Sequence, residues 1–219
     1  MPRLLFEKKG RAVWISHLDL MRLFQRAFKR AGLPLTHTQG FNPRPSVSIA
    51  LPLSVGVESD CELLDFDLDG FDISLEQIKE QLNQSLVEGV RVCHVYEDGR
   101  KIRDLAFLHC DIQLYYDKPM AWDARGPIGE LFNKSEVIVT KKTKNGMQEQ
   151  NIIPMIQQLD VAVLHDNCVR LDCVICCQNP TLNPAQLILA IEKHLPLFSP
   201  DHSKIRRIEV YDSQREIFR

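Results

Sequence analysis

Apolar positions along the chain switch repeatedly between a spacing of two and a spacing of three to four, and the switches divide it into two halves of similar order. Leu4 to Ile15 alternates, with Lys9-Gly10 inside it, and predicts a strand or a bent strand pair. Ser16 then stands as a helix cap, with Asp19 in capping-box position. The helix it opens runs to about Ala31 and stops at Gly32 and Pro34. On a helical wheel Leu20, Leu23, Phe24, Ala27 and Phe28 share one side, while Arg22, Gln25, Arg26, Lys29 and Arg30 fall on the other. Ser46 to Leu53 and Cys61 to Leu68 alternate and turn through Val55-Gly56, which predicts a hairpin. Ser74 with Gln77 opens a second helix with the apolar stripe Leu75, Ile78, Leu82 and Leu86; Gly89 ends it, and Val90 to Tyr96 is the last strand of the half.

The second half repeats that order with additions. Phe107 to Tyr116 alternates as a strand, and Pro127 to Asn133 makes a short helix at best. Glu136 to Thr143 and Met147 to Ile152 flank Asn145-Gly146, a strong hairpin signal. Val161 to His165 and Val169 to Cys177 flank Asp166-Asn167 in the same way. Asn183-Pro184 opens a helix to Leu195, and Ile205 to Tyr211 closes the set. The pattern predicts an α+β chain of two ferredoxin-like (β-α-β-β-α-β) units with antiparallel sheets, the second elaborated by extra hairpins. The expected domains are residues 1–98 and 104–219, separated at Glu97-Asp98-Gly99-Arg100-Lys101.

Charge changes the picture more than composition does. Residues 1–45 carry nine Lys and Arg against Glu7 and Asp19, a net of +7, whereas residues 46–98 carry two against twelve carboxylates, a net of −10. A surface divided this way attracts polyanions on one side only. No apolar run approaches the roughly 20 residues needed to span a bilayer, so no membrane partner is expected. The short apolar start does not read as a signal peptide, and seven cysteines cannot all pair within the chain, so a cytoplasmic protein with reduced thiols is expected.

The N-terminal motifs are distinctive. Phe6-Glu7-Lys8, Ser16-His17-Leu18-Asp19-Leu20-Met21-Arg22, Arg26-Ala27, Arg30-Ala31-Gly32-Leu33-Pro34, Gln39-Gly40-Phe41-Asn42-Pro43, Leu51-Pro52-Leu53 and Val55-Gly56-Val57-Glu58-Ser59 closely resemble the bacterial "radical SAM-linked protein" family, over about residues 3–60. That family is a domain of unknown function found beside or fused to a cobalamin-binding radical SAM protein. The resemblance therefore implies a partner enzyme, not an activity. Arg44 stands where a His is common and Ser46 where a Lys is common; Arg44 keeps a cation that suits binding better than proton transfer.

Arg22, Arg26 and Arg30 are spaced to stack along one helix side, with Lys29 beside them. Like charges at that spacing lose stability, and phosphates would neutralise them with release of counterions; a protein-docking face or a merely solvated one are the alternatives. Prolines 43 and 45 stiffen the loop in which Phe41 could stack a base while Gln39 and Asn42 read its edge. The plainer reading makes Phe41 a core plug and Asn42 a turn residue. His17, in the first helical turn, is a candidate general base or simply a packed residue. Cys168, Cys173 and Cys176 fit part of a cluster spacing, but on a predicted strand they face opposite ways, and the Cys-x3-Cys-x2-Cys motif of radical SAM enzymes does not occur. No metal site, phosphate loop or dinucleotide motif is read, so no cofactor is expected. Lys141, Lys142 and Lys144 form a smaller basic cluster at the predicted hairpin tip.

The expectation is a non-catalytic RNA-binding or docking module that presents a tRNA or ribosomal RNA substrate to a radical SAM enzyme. Its binding residues would be Lys8, Lys9, His17, Arg22, Arg26, Lys29, Arg30, Gln39, Phe41, Asn42 and Arg44, with the guanidinium groups converging in one cationic concavity. The alternatives are a small metal-independent endoribonuclease using His17 and a pure protein-protein adaptor.

Overall fold

The computed structural model describes residues 1–70, 73–97, 99–119, 123–143 and 146–219, the side chains of Lys142 and Thr143 excepted. Two compact units form, residues 1–102 with Arg219, and residues 103–218. Arg219 belongs with the first unit, where its carbonyl accepts a hydrogen bond from the Arg100 amide at 2.9 Å.

The first unit runs β1 (Arg3–Lys8), α1 (His17–Arg30), β2 (Val47–Ile49), β3 (Val57–Phe66), α2 (Leu75–Ser85) and β4 (Val90–Tyr96). Its strands pair antiparallel in the order β4-β1-β3-β2. The alternation through Ile15 does not continue as a strand: Gly10–Trp14 is a 3-10 turn. Gly10 turns the chain out of the ladder at a φ of +55°, and the consecutive residues Ala12 and Val13 are both buried, which a strand's alternation forbids. β2 is also shorter than its period-2 run and ends at Ile49.

Helix α1 begins where Ser16 Oγ accepts the Asp19 amide at 3.2 Å. Only this half of the expected capping box forms, because the Asp19 carboxylate accepts instead from the Ser16 hydroxyl at 2.7 Å and from Arg22 at 3.0 Å. Its apolar side is buried against the sheet, with Leu20, Phe24, Ala27 and Phe28 packed among Leu4, Phe6, Leu64 and Phe66. Phe6 meets Phe24 edge-on at 4.7 Å between centroids, and Phe28 lies 5.0 Å from Phe66. In α2 the Ser74–Gln77 box is complete, and Asn83 exchanges two hydrogen bonds with the Val92 backbone to hold α2 on β4. Gly89 permits the close approach of β4 to the start of the 3-10 turn: a Cβ there would stand 2.4 Å from the Lys9 carbonyl oxygen.

The second unit runs β5 (Leu105–Tyr115), α3 (Arg125–Phe132), β6 (Ile138–Thr143), β7 (Gly146–Asn151), β8 (Ile156–His165), β9 (Cys168–Cys176), α4 (Ala185–His194) and β10 (His202–Asp212). Its sheet has the order β10-β5-β9-β8, antiparallel throughout, and β6-β7 is a separate two-stranded hairpin. Counted within each unit, both sheets place their strands in the order fourth, first, third, second. Along β5, Leu108, Cys110, Ile112 and Leu114 are buried while His109, Asp111, Gln113 and Tyr115 lie on the partly exposed face. Asn145 of the expected Asn145-Gly146 turn, Lys144 and the Lys142 side chain lie outside the described residues, as does Asp98 of the expected connector. Among the described residues no helix is long and apolar enough to cross a membrane.

Phe24→Ala is expected to lower the stability of the first unit by about 3–5 kcal/mol, the range for emptying a buried aromatic site. Urea denaturation followed by far-UV circular dichroism measures it, with Leu23→Ala, at a partly exposed position, as the milder control.

Candidate nucleic-acid interface

Burying one side of α1 forces its charged side outward, and Arg22, Arg26, Lys29 and Arg30 are all exposed. Two of them are tethered: Arg22 Nη1 donates to Asp19 Oδ1 at 3.0 Å, and Arg30 Nη2 donates to the Ser85 carbonyl at 2.6 Å. Among the described residues Arg26 and Lys29 make no hydrogen bond or ion pair. The Ser16 hydroxyl and then Arg22, with a weaker field from Arg26, hold the Asp19 carboxyl below the usual carboxylate range. Asp19 is thus a fixed anion committed to its own turn.

After the helix, the Leu33 amide donates to the Phe28 carbonyl at 2.9 Å and the chain runs out into a necked loop. His37 and Pro45 bridge across the neck, the Thr38 amide donates to the Arg44 carbonyl at 2.8 Å, and the Arg44 amide donates to Thr38 Oγ1 at 3.0 Å. The tip beyond this closure carries Gln39, Phe41 and Asn42, with Arg44 at the neck, all four exposed. Phe41 stands 109% exposed, as bare as in an extended chain, so the reading of it as a core plug does not hold.

Between α1 and this neck lies a cavity of about 520 Å³, lined by Gln25, Phe28 and Lys29 of the helix, by Gly32, Leu33, Pro34 and Leu35, and by His37 and Pro45. Its walls include one lysine and none of the arginines. The guanidinium groups do not converge in this hollow: the arginines occupy an outward face, and the hollow beside it is apolar with polar groups among its walls. Gln25, Leu35, His37 and Pro45 escaped the sequence reading as binding residues because no periodicity marks them; the two prolines that bracket the excursion, Pro34 and Pro45, were the available signal.

Three expected residues need correction or refinement. Lys8 is fully buried, its Nζ donating to the Ile15 carbonyl at 2.9 Å, so it offers no surface charge. The cause is the strand's own alternation, which places Lys8 on the same inward face as Leu4 and Phe6. Lys9 is partly exposed but already clamped, 2.6 Å from Glu7 and 2.8 Å from Asp60, and these bonds to Asp60 and Glu7 raise its pKa. His17 is half-buried, and its Nδ1 is a buried atom without a hydrogen-bond partner among the described residues. With Asp19 engaged elsewhere, no carboxylate among the described residues orients its ring.

The second unit holds a polar cluster that the sequence did not reveal. Asp111 and Asp172 face each other in register on β5 and β9, where like charges repel. Arg170 lies between them and bonds both, while His109 Nε2 lies 2.9 Å from Asp172 Oδ1. Period-2 polarity along β5 was legible, but the cross-strand register that builds the cluster was not. Cys168, Cys173 and Cys176 are buried, and burial pushes the neighbouring Cys177 thiol up to about 12. Among the described residues no group of three His, Cys, Asp or Glu side chains is placed to hold a metal ion.

Amine acetylation of the native protein is expected to modify Lys29 readily and to leave Lys8 unmodified until the protein unfolds. Peptide mass spectrometry reads this, and early labelling of Lys8 would contradict its inward placement.

Comparison with known proteins adds little chemistry. No curated protein matches the chain. Among solved structures, it is similar to a chain of a Cbf5-Nop10-Gar1 complex, with a TM-score of 0.51 and 9% identity over 95% of this chain and 48% of that one. It is also similar to a chain in an H/ACA RNP bound to a substrate RNA containing 2'-deoxyuridine, with a TM-score of 0.48 and 8% identity over 94% of this chain and 46% of that one. The chain thus spans about half the length of the solved chains it matches, and at such identity the likeness concerns fold alone. Residues 2–184 match the family described as an uncharacterized protein conserved in bacteria (DUF2344), and the chain belongs to that family.

Proposed function

We propose that the protein is a non-catalytic module that binds single-stranded RNA and presents it to a radical SAM enzyme, on a scaffold of two ferredoxin-like units. The observation that carries this reading is Phe41, held bare to solvent at the tip of a closed loop. Leaving an aromatic ring in water forgoes about 1.5–3 kcal/mol of burial free energy. Stacking on a base regains about 1–3 kcal/mol, and it tolerates any base because each has a π face. The exposed Arg26 and Lys29, without protein partners among the described residues, supply the phosphate contacts that make such binding salt-dependent. Gln39 and Asn42 flank the ring with groups able to read a base edge.

The enzyme partner rests on the resemblance of residues 3–60 to the radical SAM-linked family, and tRNA or ribosomal RNA as the cargo is the finer part of the same reading. Catalysis by His17 has less behind it, since nothing described orients the ring or supplies the opposite acid.

Fluorescence anisotropy with a short unstructured RNA tests the reading. Affinity is expected to fall steeply between 50 and 200 mM salt, values chosen for the assay to span the range in which phosphate contacts dominate. Arg26→Glu should weaken binding and flatten the salt slope, whereas Phe41→Ala should weaken it by about 5- to 150-fold, the equivalent of one lost stack, with the slope unchanged. Affinity indifferent to salt and to both substitutions would exclude RNA as the ligand.

A further inference from the structure

The cavity between α1 and the loop neck has a chemistry of its own. At about 520 Å³ it falls within the roughly 300–1,000 Å³ of small-molecule sites. Phe28, Leu33, Pro34, Leu35 and Pro45 give it apolar walls, and Gln25, Lys29 and His37 bring the polar atoms. Among the described residues no Asp or Glu lines it. The ligand that suits such a hollow is flat, apolar on its faces, polar at its edge and anionic at one end. An alkyl chain would leave the Gln25 amide and the His37 ring desolvated and without partners, which disfavours its binding.

The geometry points to a binding pocket for one splayed-out nucleotide, its base between the proline and leucine walls, its edge on Gln25 or His37, and its phosphate on Lys29. The inference rests on the single-stranded RNA reading and extends it: the pocket would hold one nucleotide while Phe41, a few residues beyond the neck, stacks another. Lys29 suits the phosphate role because no carboxylate engages its ammonium among the described residues.

The test is NMR titration of the full chain with each of the four nucleoside 5′-monophosphates and with ribose 5-phosphate. At least one mononucleotide is expected to shift the Gln25, Lys29, Leu35 and His37 signals, and ribose 5-phosphate is not. Lys29→Glu should weaken that binding by at least about fivefold, the loss of one charge-assisted contact. Gln25→Trp, which fills the hollow from a partly exposed helix position, should abolish it, with the dispersed spectrum reporting that the fold survives. Silence with all four mononucleotides, equal shifts with the bare sugar phosphate, or undiminished binding by a folded Gln25→Trp protein would overturn the pocket. The two readings fail separately. An oligonucleotide that binds Gln25→Trp as tightly as wild type removes the pocket and spares RNA binding, whereas mononucleotide binding without any oligonucleotide affinity keeps the pocket and removes the RNA-presenting role.

Discussion

The first unit depends on one aromatic seam. Phe24 and Phe28, one turn apart on α1, meet Phe6 and Phe66 on the sheet at 4.7 and 5.0 Å, and this contact fixes the rotation of the helix about its own axis. Everything outward follows from that rotation. With Leu20, Phe24, Ala27 and Phe28 committed to the core, Arg22, Arg26, Lys29 and Arg30 are turned outward. Their mutual repulsion is small beside the burial of two phenylalanines, so the core tolerates a face that no local interaction favours.

The same seam positions the concave part of the surface. Phe28 is a core residue and also a wall of the cavity, and the Leu33 amide bonded to its carbonyl sends the chain away from the helix toward the neck. The hollow is therefore anchored in the core of the unit, while the loop beside it is closed by hydrogen bonds between Thr38 and Arg44. Asp19 and Ser85 restrain two of the arginines, which leaves Arg26 and Lys29 as the uncommitted cations of the helix among the described residues, Lys29 at the cavity wall.

Helix boundaries, strand alternation and both helix N-termini were legible because each is written in local spacing. The apolar residues of α1 named from the wheel include all four that are fully buried. Lys8 was misread because its charge outweighed its place in the alternation, which sets it on the same inward face as Leu4 and Phe6. Phe41 was assigned to the core as the plainer alternative on the habits of phenylalanine in general, whereas a neck only seven residues across, from Thr38 to Arg44, leaves no path for the ring to reach inward. The cavity and the Asp111–Arg170–Asp172 cluster were illegible for one reason: each joins residues from segments that no periodicity connects.

The neck has a consequence for engineering. Because the bonds that close it sit at Thr38 and Arg44 and at the His37–Pro45 bridge, the stretch 39–43 is tied to the rest of the molecule at its ends, and its side chains can be replaced without disturbing the scaffold. The tip can be refitted like an interchangeable tool head, so that what the loop grips is altered while the body that carries it stays as it is.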